Sequence, residues 1–267
     1  MSKTQQAAIE GQCTEALNRY LTLELAMQEQ KAVEDFVFDK PVRTPEDADD
    51  AAQQLRRDWD LGDDPIPNVV AMLEDKGYKV LELETDADFD GLKAHAGAAR
   101  VIGLNKNIED ACRKRFTALH ELAHHVLLFP SDMPQREQEQ LCHCFAGAVL
   151  FPKEQALEVL RQERFHFYLP ELVLLKEYWG ISIVAIFARA KNLGIISEHV
   201  HTKLMISYNA RKYRDGEPGN FRGDEKALRF RQLLYQGLAE EILTINQAAT
   251  LSQKTVGELR NELDQLA

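Results

Sequence analysis

The sequence of 267 residues has little cysteine, and Cys13, Cys112, Cys142 and Cys144 are too scattered to staple a chain of this length. Reduced thiols are therefore expected. It also lacks any run near the roughly 18 uncharged apolar residues of a membrane helix, which argues against a membrane protein. Its first residues have neither the basic flank nor the apolar stretch of a secretory signal, so the cytoplasm is the expected compartment. Positive charge is in short supply: 32 Lys and Arg stand against 43 Asp and Glu, for a formal charge of −11. Such a chain repels phosphate backbones as a whole, and contact with nucleic acid would need a local basic patch. Solenoid repeats and low-complexity tracts are absent. What is present is 45% apolar residues, enough for a sizeable core.

Residues 1–35 read as one polar helix carrying Leu17, Tyr20, Leu21 and Leu25, followed by a looser stretch through Pro41. A second helix opens at Thr44-Pro45-Glu46-Asp47, where threonine caps, proline suits the first turn and acids favour the positive dipole end. It should run to about Trp59, and a turn over 61–67 then precedes a short helix from Val69 to Lys76, closed by Gly77. Short runs at 78–83 and 100–105, with Asp88-Phe89-Asp90-Gly91 as a turn, predict two or three antiparallel strands. Beyond Glu109 the pattern is helical nearly to the end, broken at Phe129-Pro130, Phe151-Pro152, Leu169-Pro170, Gly194 and 215–220. The expected fold is α+β and mostly helical. Residues 1–42 would form a helix and linker, 43–168 a domain with a small antiparallel sheet, and 169–267 an all-helical domain.

Chemistry concentrates in one helix. Every residue from Arg115 to Leu128 suits a helix, so the segment His120-Glu121-Leu122-Ala123-His124 stacks two imidazoles on one face, where they can converge on a metal ion. Glu121 lies about 100° around the helix, placed to take a proton from water rather than to ligate. A catalytic zinc needs a third protein ligand. The next helix, predicted over 135–150, offers Glu139 as the best candidate, with Glu137 and His143 as alternatives. His143 could instead support His120 from behind. Zinc is the expected metal; manganese and iron also suit two imidazoles and a carboxylate.

These residues resemble the ImmA/IrrE-type metallo-endopeptidases. The similarity lies in Arg115-Phe116-Thr117, His120-Glu121, His124, Glu139, Phe145-Ala146, Val149-Leu150 and Pro152. It extends outward to Trp59, Leu61-Gly62, Asp90-Gly91, Trp179-Gly180, Leu193-Gly194-Ile195-Ile196 and Glu217-Pro218, covering about residues 45–260. The resemblance implies a zincin-like core, His120, His124 and Glu139 as metal ligands, Glu121 as catalytic base, and a helix-turn-helix (XRE-type) repressor as substrate, whose cleavage induces stress-response or mobile-element genes. Two departures stand out. The family's Ala-Asn pair is Cys142-His143 here, and its usual glycine before the second histidine is Ala123. The helix-turn-helix domain that many members carry at the amino terminus is not found in residues 1–40, so the repressor would be a separate protein.

Some features fit other readings. Residues 172–192 outline a helix-turn-helix, yet the second helix, Ile183 to Arg189, is apolar where groove reading needs polar side chains, so packing or substrate recognition is the better expectation. A second pair, 244–249 and 254–263, suggests a packing or protein-binding module. Cys142 and Cys144 are expected in the core. Arg113, Lys114 and Arg115 would either grip an acidic substrate or solvate the start of the zinc helix. His143, His95 and Tyr208 are candidates for stabilising an oxyanion. The rival functions are a metal-bearing transcriptional regulator that contacts DNA through 170–195 and a repressor-binding protein that does not cleave.

Overall fold

Helices begin where the sequence offers a cap. In a computed structural model, which describes residues 2–34, 36–85, 89–161 and 163–264 (for Asp264 the backbone alone), the Thr44 side chain accepts the Asp47 N–H while Asp47 accepts the Thr44 N–H. That reciprocal box opens α2 (Pro45–Asp58). Asn68 caps α3 (Val69–Asp75) and Asp110 caps α4 (Ala111–Val126) by the same kind of bond. The first helix, α1 (Lys3–Met27), stops well short of residue 35: Gln28 turns left-handed at φ 56° and the chain continues extended. Burial explains the change, because Phe36, Phe38 and Val42 enter the main core from this extended segment.

The sheet has the order β1-β3-β2, with β1 (Lys79–Leu83), β2 (Gly91–Ala96) and β3 (Ala99–Asn105). It is mixed, which corrects the expectation of a small antiparallel sheet. The tight turn at Gly97, φ +59°, folds β2 back on β3 in antiparallel register. The longer connection after Leu83 instead carries the chain past β3, so that β1 runs parallel to it, Lys79 opposite Val101 and Leu83 opposite Asn105. Asp88 of the expected turn lies outside the described residues, and Gly91 of that turn opens β2. With β3 buried in the middle, β2 is left as a partly exposed edge.

Helices α5 (Gln135–Leu150), α6 (Lys153–Leu160), α7 (Leu169–Trp179), α8 (Ile183–Asn192) and α9 (Glu198–Ala210) share one apolar core with α2 to α4 and the inner side of the sheet. The outer side, Leu81, Leu83 and Val101, is covered by Ile9, Leu17 and Tyr20 of α1. At its other end α1 joins α10 (Arg229–Ala239), α11 (Ile245–Ser252) and α12 (Val256–Asp264) in a separate small cluster around Leu23, Leu234 and Leu259. Among the described residues no helix is long and apolar enough to cross a membrane.

Three internal arginines fasten this assembly. Arg189 pairs with Asp49 and donates to the Phe151 carbonyl at 2.9 Å, joining α8 to α2 and to the end of α5. Arg56 donates to the carbonyls of Gly62 and Val149 at 2.9 and 2.6 Å. Arg115, with no solvent exposure, donates to the Ile66 carbonyl, lies 4.6 Å from the Phe221 ring and stands 3.6 Å from Glu225. Glu225 in turn accepts the Val69 and Val70 N–H groups at the start of α3, at 3.2 and 2.9 Å. Gly180 is needed here: its φ is +62°, and a Cβ would lie 2.2 Å from the Arg115 guanidinium.

The basic triplet therefore divides. Arg115 is interior, Lys114 pairs with Glu82, and Arg113 alone stays at the surface, 2.6 Å from Asp90. Removing Arg115 would leave Glu225 buried without its cation, so Arg115→Ala should lower the unfolding free energy in urea by about 3–5 kcal/mol. A loss below about 1 kcal/mol would mean that the pair does not hold α3 and α4 together.

Candidate metal centre

Helix α4 buries Ala118, Leu119, Leu122 and Ala123 on one side and carries His120 and His124 on another. Its partner α5 answers with Cys142, Phe145, Ala146 and Val149, all fully buried, and the small residues let the two helices pack closely. Glu139, one turn before Cys142, consequently meets both imidazoles. Its Oε2 is 3.0 Å from His120 Nε2 and 3.4 Å from His124 Nε2, and the two Nε2 atoms are 3.2 Å apart. Glu137, two residues nearer the start of α5 and so on another face, is exposed and outside the group.

This spacing suits a cation. Ligand atoms 2.0–2.1 Å from a tetrahedral ion stand about 3.3–3.4 Å from one another, close to the separations observed here. The imidazoles are also in the right state. Burial, reinforced by the neighbouring His143 and His124, holds His120 down at about 4, and burial lowers His124 as well. Both rings are then neutral at neutral pH, so two nitrogen lone pairs and a carboxylate point at one place. His120, His124 and Glu139 can together hold a metal ion.

Glu121 is adjacent but not part of that group. It is 8% exposed, and burial together with the Glu139 charge raises its carboxyl to about 7, against the opposing pull of Lys93. Edge strand β2 closes over it at Gly91, where a Cβ would stand 2.7 Å from Thr117 Cγ2 and 3.0 Å from Glu121 Oε1. Only glycine lets the strand come so near. Two residues on, the Lys93 ammonium donates to the His124 carbonyl at 3.0 Å, fixing β2 to the helix.

The other histidines separate by place. His125 faces away, donating to the Val101 carbonyl at 2.9 Å with its ring 4.7 Å from His95. His95 therefore belongs to that outer contact. His143 lies over His120 with ring centroids 4.5 Å apart. Tyr208 is in the far wall of the cleft, donating to Glu217 at 2.9 Å. Of the three residues considered for an oxyanion, His143 alone adjoins the metal group.

An open cleft of about 1240 Å³ runs past the group, walled by Phe116 and His143 on one side and Val184, Ala188 and Tyr208 on the other. Glu217 holds the second wall: it accepts the Ile183 and Val184 N–H groups at 2.9 and 3.3 Å and lies 3.1 Å from the Lys176 ammonium. Gly91, Cys142 and Glu217 also belong to the site, although the sequence marks them only through the family resemblance and not by any chemistry of their own. Asp90-Gly91 beside the predicted strands was the only local signal for the first.

Zinc added to metal-free protein should raise its melting temperature, by the equivalent of about 2.7 kcal/mol at a hundredfold excess over the dissociation constant. His120→Ala and Glu139→Gln should abolish most of that rise in a thermal-shift titration. An unchanged rise in both would place the metal elsewhere.

Residues 73–191 match the family Peptidase_M78, described as the IrrE N-terminal-like domain. No curated protein matches the chain. The matched stretch begins at the end of α3 and reaches α8, so it includes the sheet, His120, Glu121, His124 and Glu139. The metal-binding group therefore lies within a Peptidase_M78 (IrrE N-terminal-like) domain that spans residues 73–191 of the chain.

Proposed function

We propose that the protein is a zinc-dependent endopeptidase that cuts a separate helix-turn-helix (XRE-type) repressor and so induces stress-response or mobile-element genes. The observation that carries the peptidase reading is the convergence of His120, His124 and Glu139 beside a buried Glu121, on the wall of an open cleft in a peptidase-family domain. The repressor as substrate rests on the resemblance of the flanking sequence.

His120, His124 and Glu139 would hold the ion. When bound, zinc supplies a Lewis acid that polarises a peptide carbonyl and makes water more acidic. Glu121 accepts a proton from the attacking water and passes it to the leaving amine. The free edge of β2 offers backbone groups to an extended peptide passing Glu121, the pairing by which sheet edges hold extended segments. Manganese or iron would satisfy the same three ligands.

The DNA-binding rival is disfavoured by the burial of α8. Ile183, Ile186, Phe187 and Ala190 lie in the core, Arg189 is consumed by Asp49, and Val184 and Ala185 face the cleft. No basic face remains on that helix. Beside α12, Arg231 and Lys254 both pair with Glu262, and Arg260 is the one cation that helix itself contributes.

The test is to incubate the protein with the helix-turn-helix protein encoded beside it. Wild type should cut that partner in a metal-dependent way, and Glu121→Gln should slow the cut by about 10²–10⁴-fold while keeping its zinc. An intact partner across metals and conditions would sink the proposal, and a partner bound but never cut would favour a non-cleaving repressor-binding protein.

A further inference from the structure

The two histidines of the metal group are held by different contacts, and both contacts come from α5. His120 is steadied by stacking: His143 lies over it with planes inclined by 31°, and Phe116 backs His143 at 5.9 Å. Its Nδ1 has no hydrogen-bond partner among the described residues. His124 is held at an atom. Its Nδ1 stands 3.6 Å from Cys142 Sγ, on the side of the ring opposite the nitrogen that meets Glu139 and His120.

Cys142 has no solvent exposure, so water does not compete for this contact. The neighbouring Cys144 plays no part, being engaged by the Asn192 amide at 3.1 Å. A neutral imidazole that gives its Nε2 lone pair to an ion carries its proton on Nδ1, and that N–H needs an acceptor. We propose that Cys142 is a positioning residue for metal binding: its sulfur accepts the Nδ1–H of His124 and fixes the ring whose Nε2 faces the ion. Carboxylates and backbone carbonyls usually serve in this place. A buried thiol does so without introducing another negative charge between α4 and α5, where Glu121 and Glu139 already repel one another.

The inference rests on His120, His124 and Glu139 being the ligands, and the experiment separates the two claims. Zinc dissociation constants of the full-length protein and of the Cys142→Ala, Cys142→Ser and Glu139→Gln variants are measured by competition with a chromophoric chelator. Melting temperatures of the metal-free forms are recorded alongside. Cys142→Ala should weaken zinc binding by about tenfold or more. Cys142→Ser leaves a similar void but returns an acceptor, and should recover about threefold or more of that loss. The two variants should melt alike without metal, which removes packing as the source of their difference. Wild-type affinity in Cys142→Ala, or equal weakening in both variants, overturns the role of the sulfur. Wild-type affinity in Glu139→Gln overturns the ligand set and this inference with it.

Discussion

The close approach of α5 to α4 is the constraint on which the rest depends. A single helix can stack His120 over His124, but two imidazoles on a surface are only a weak metal site. Ala123 on one helix and Ala146 on the other are small and fully buried, and the contact of the two helices brings Glu139 within 3.4 Å of both rings. The same contact sets Cys142 and His143 behind the ligands. Packing and chemistry are inseparable here, since a shift of α5 by one residue would turn all three side chains away together.

Around that pair the fold provides electrostatic order at small expense of exposed charge. Buried carboxylates are placed where backbone N–H groups lack partners: Glu225 at the start of α3, Glu217 at the start of α8, Glu74 at the Leu228 and Arg229 amides. Each is the anion that a helix start or turn favours. Arg115 and Lys176 then compensate Glu225 and Glu217. Much of the interior is thus tied by contacts between segments far apart in the chain.

The sequence was most informative where local rules decide. The cap at Thr44, the span of α5 and the stacking of His120 on His124 all follow from helical period and side-chain chemistry. The choice of Glu139 over Glu137 followed from the length of the loop and the direction of a helix face. What could not be read needed distant partners. Strand β2, with Lys93 and His95 exposed, lacks the apolar run that marks an inner strand, and the parallel pairing of β1 with β3 depends on how the chain crosses between them. Arg115 looked like a surface cation because its partners, Glu225 and Phe221, come more than a hundred residues later. Cys142 looked like core filling, and it is that as well.

Glu217 gives the cleft a property of its own. One carboxylate accepts from the first turn of α8, receives the Tyr208 hydroxyl and sits against Lys176 of α7, so three elements of the far wall meet at a single buried charge. Such a junction resists gradual widening, because parting any of its members would strand an ion away from water. The wall facing Glu121 is therefore held together as one unit. On the peptidase reading, a wall tied together in this way would leave more of the fitting to the substrate than to the cleft.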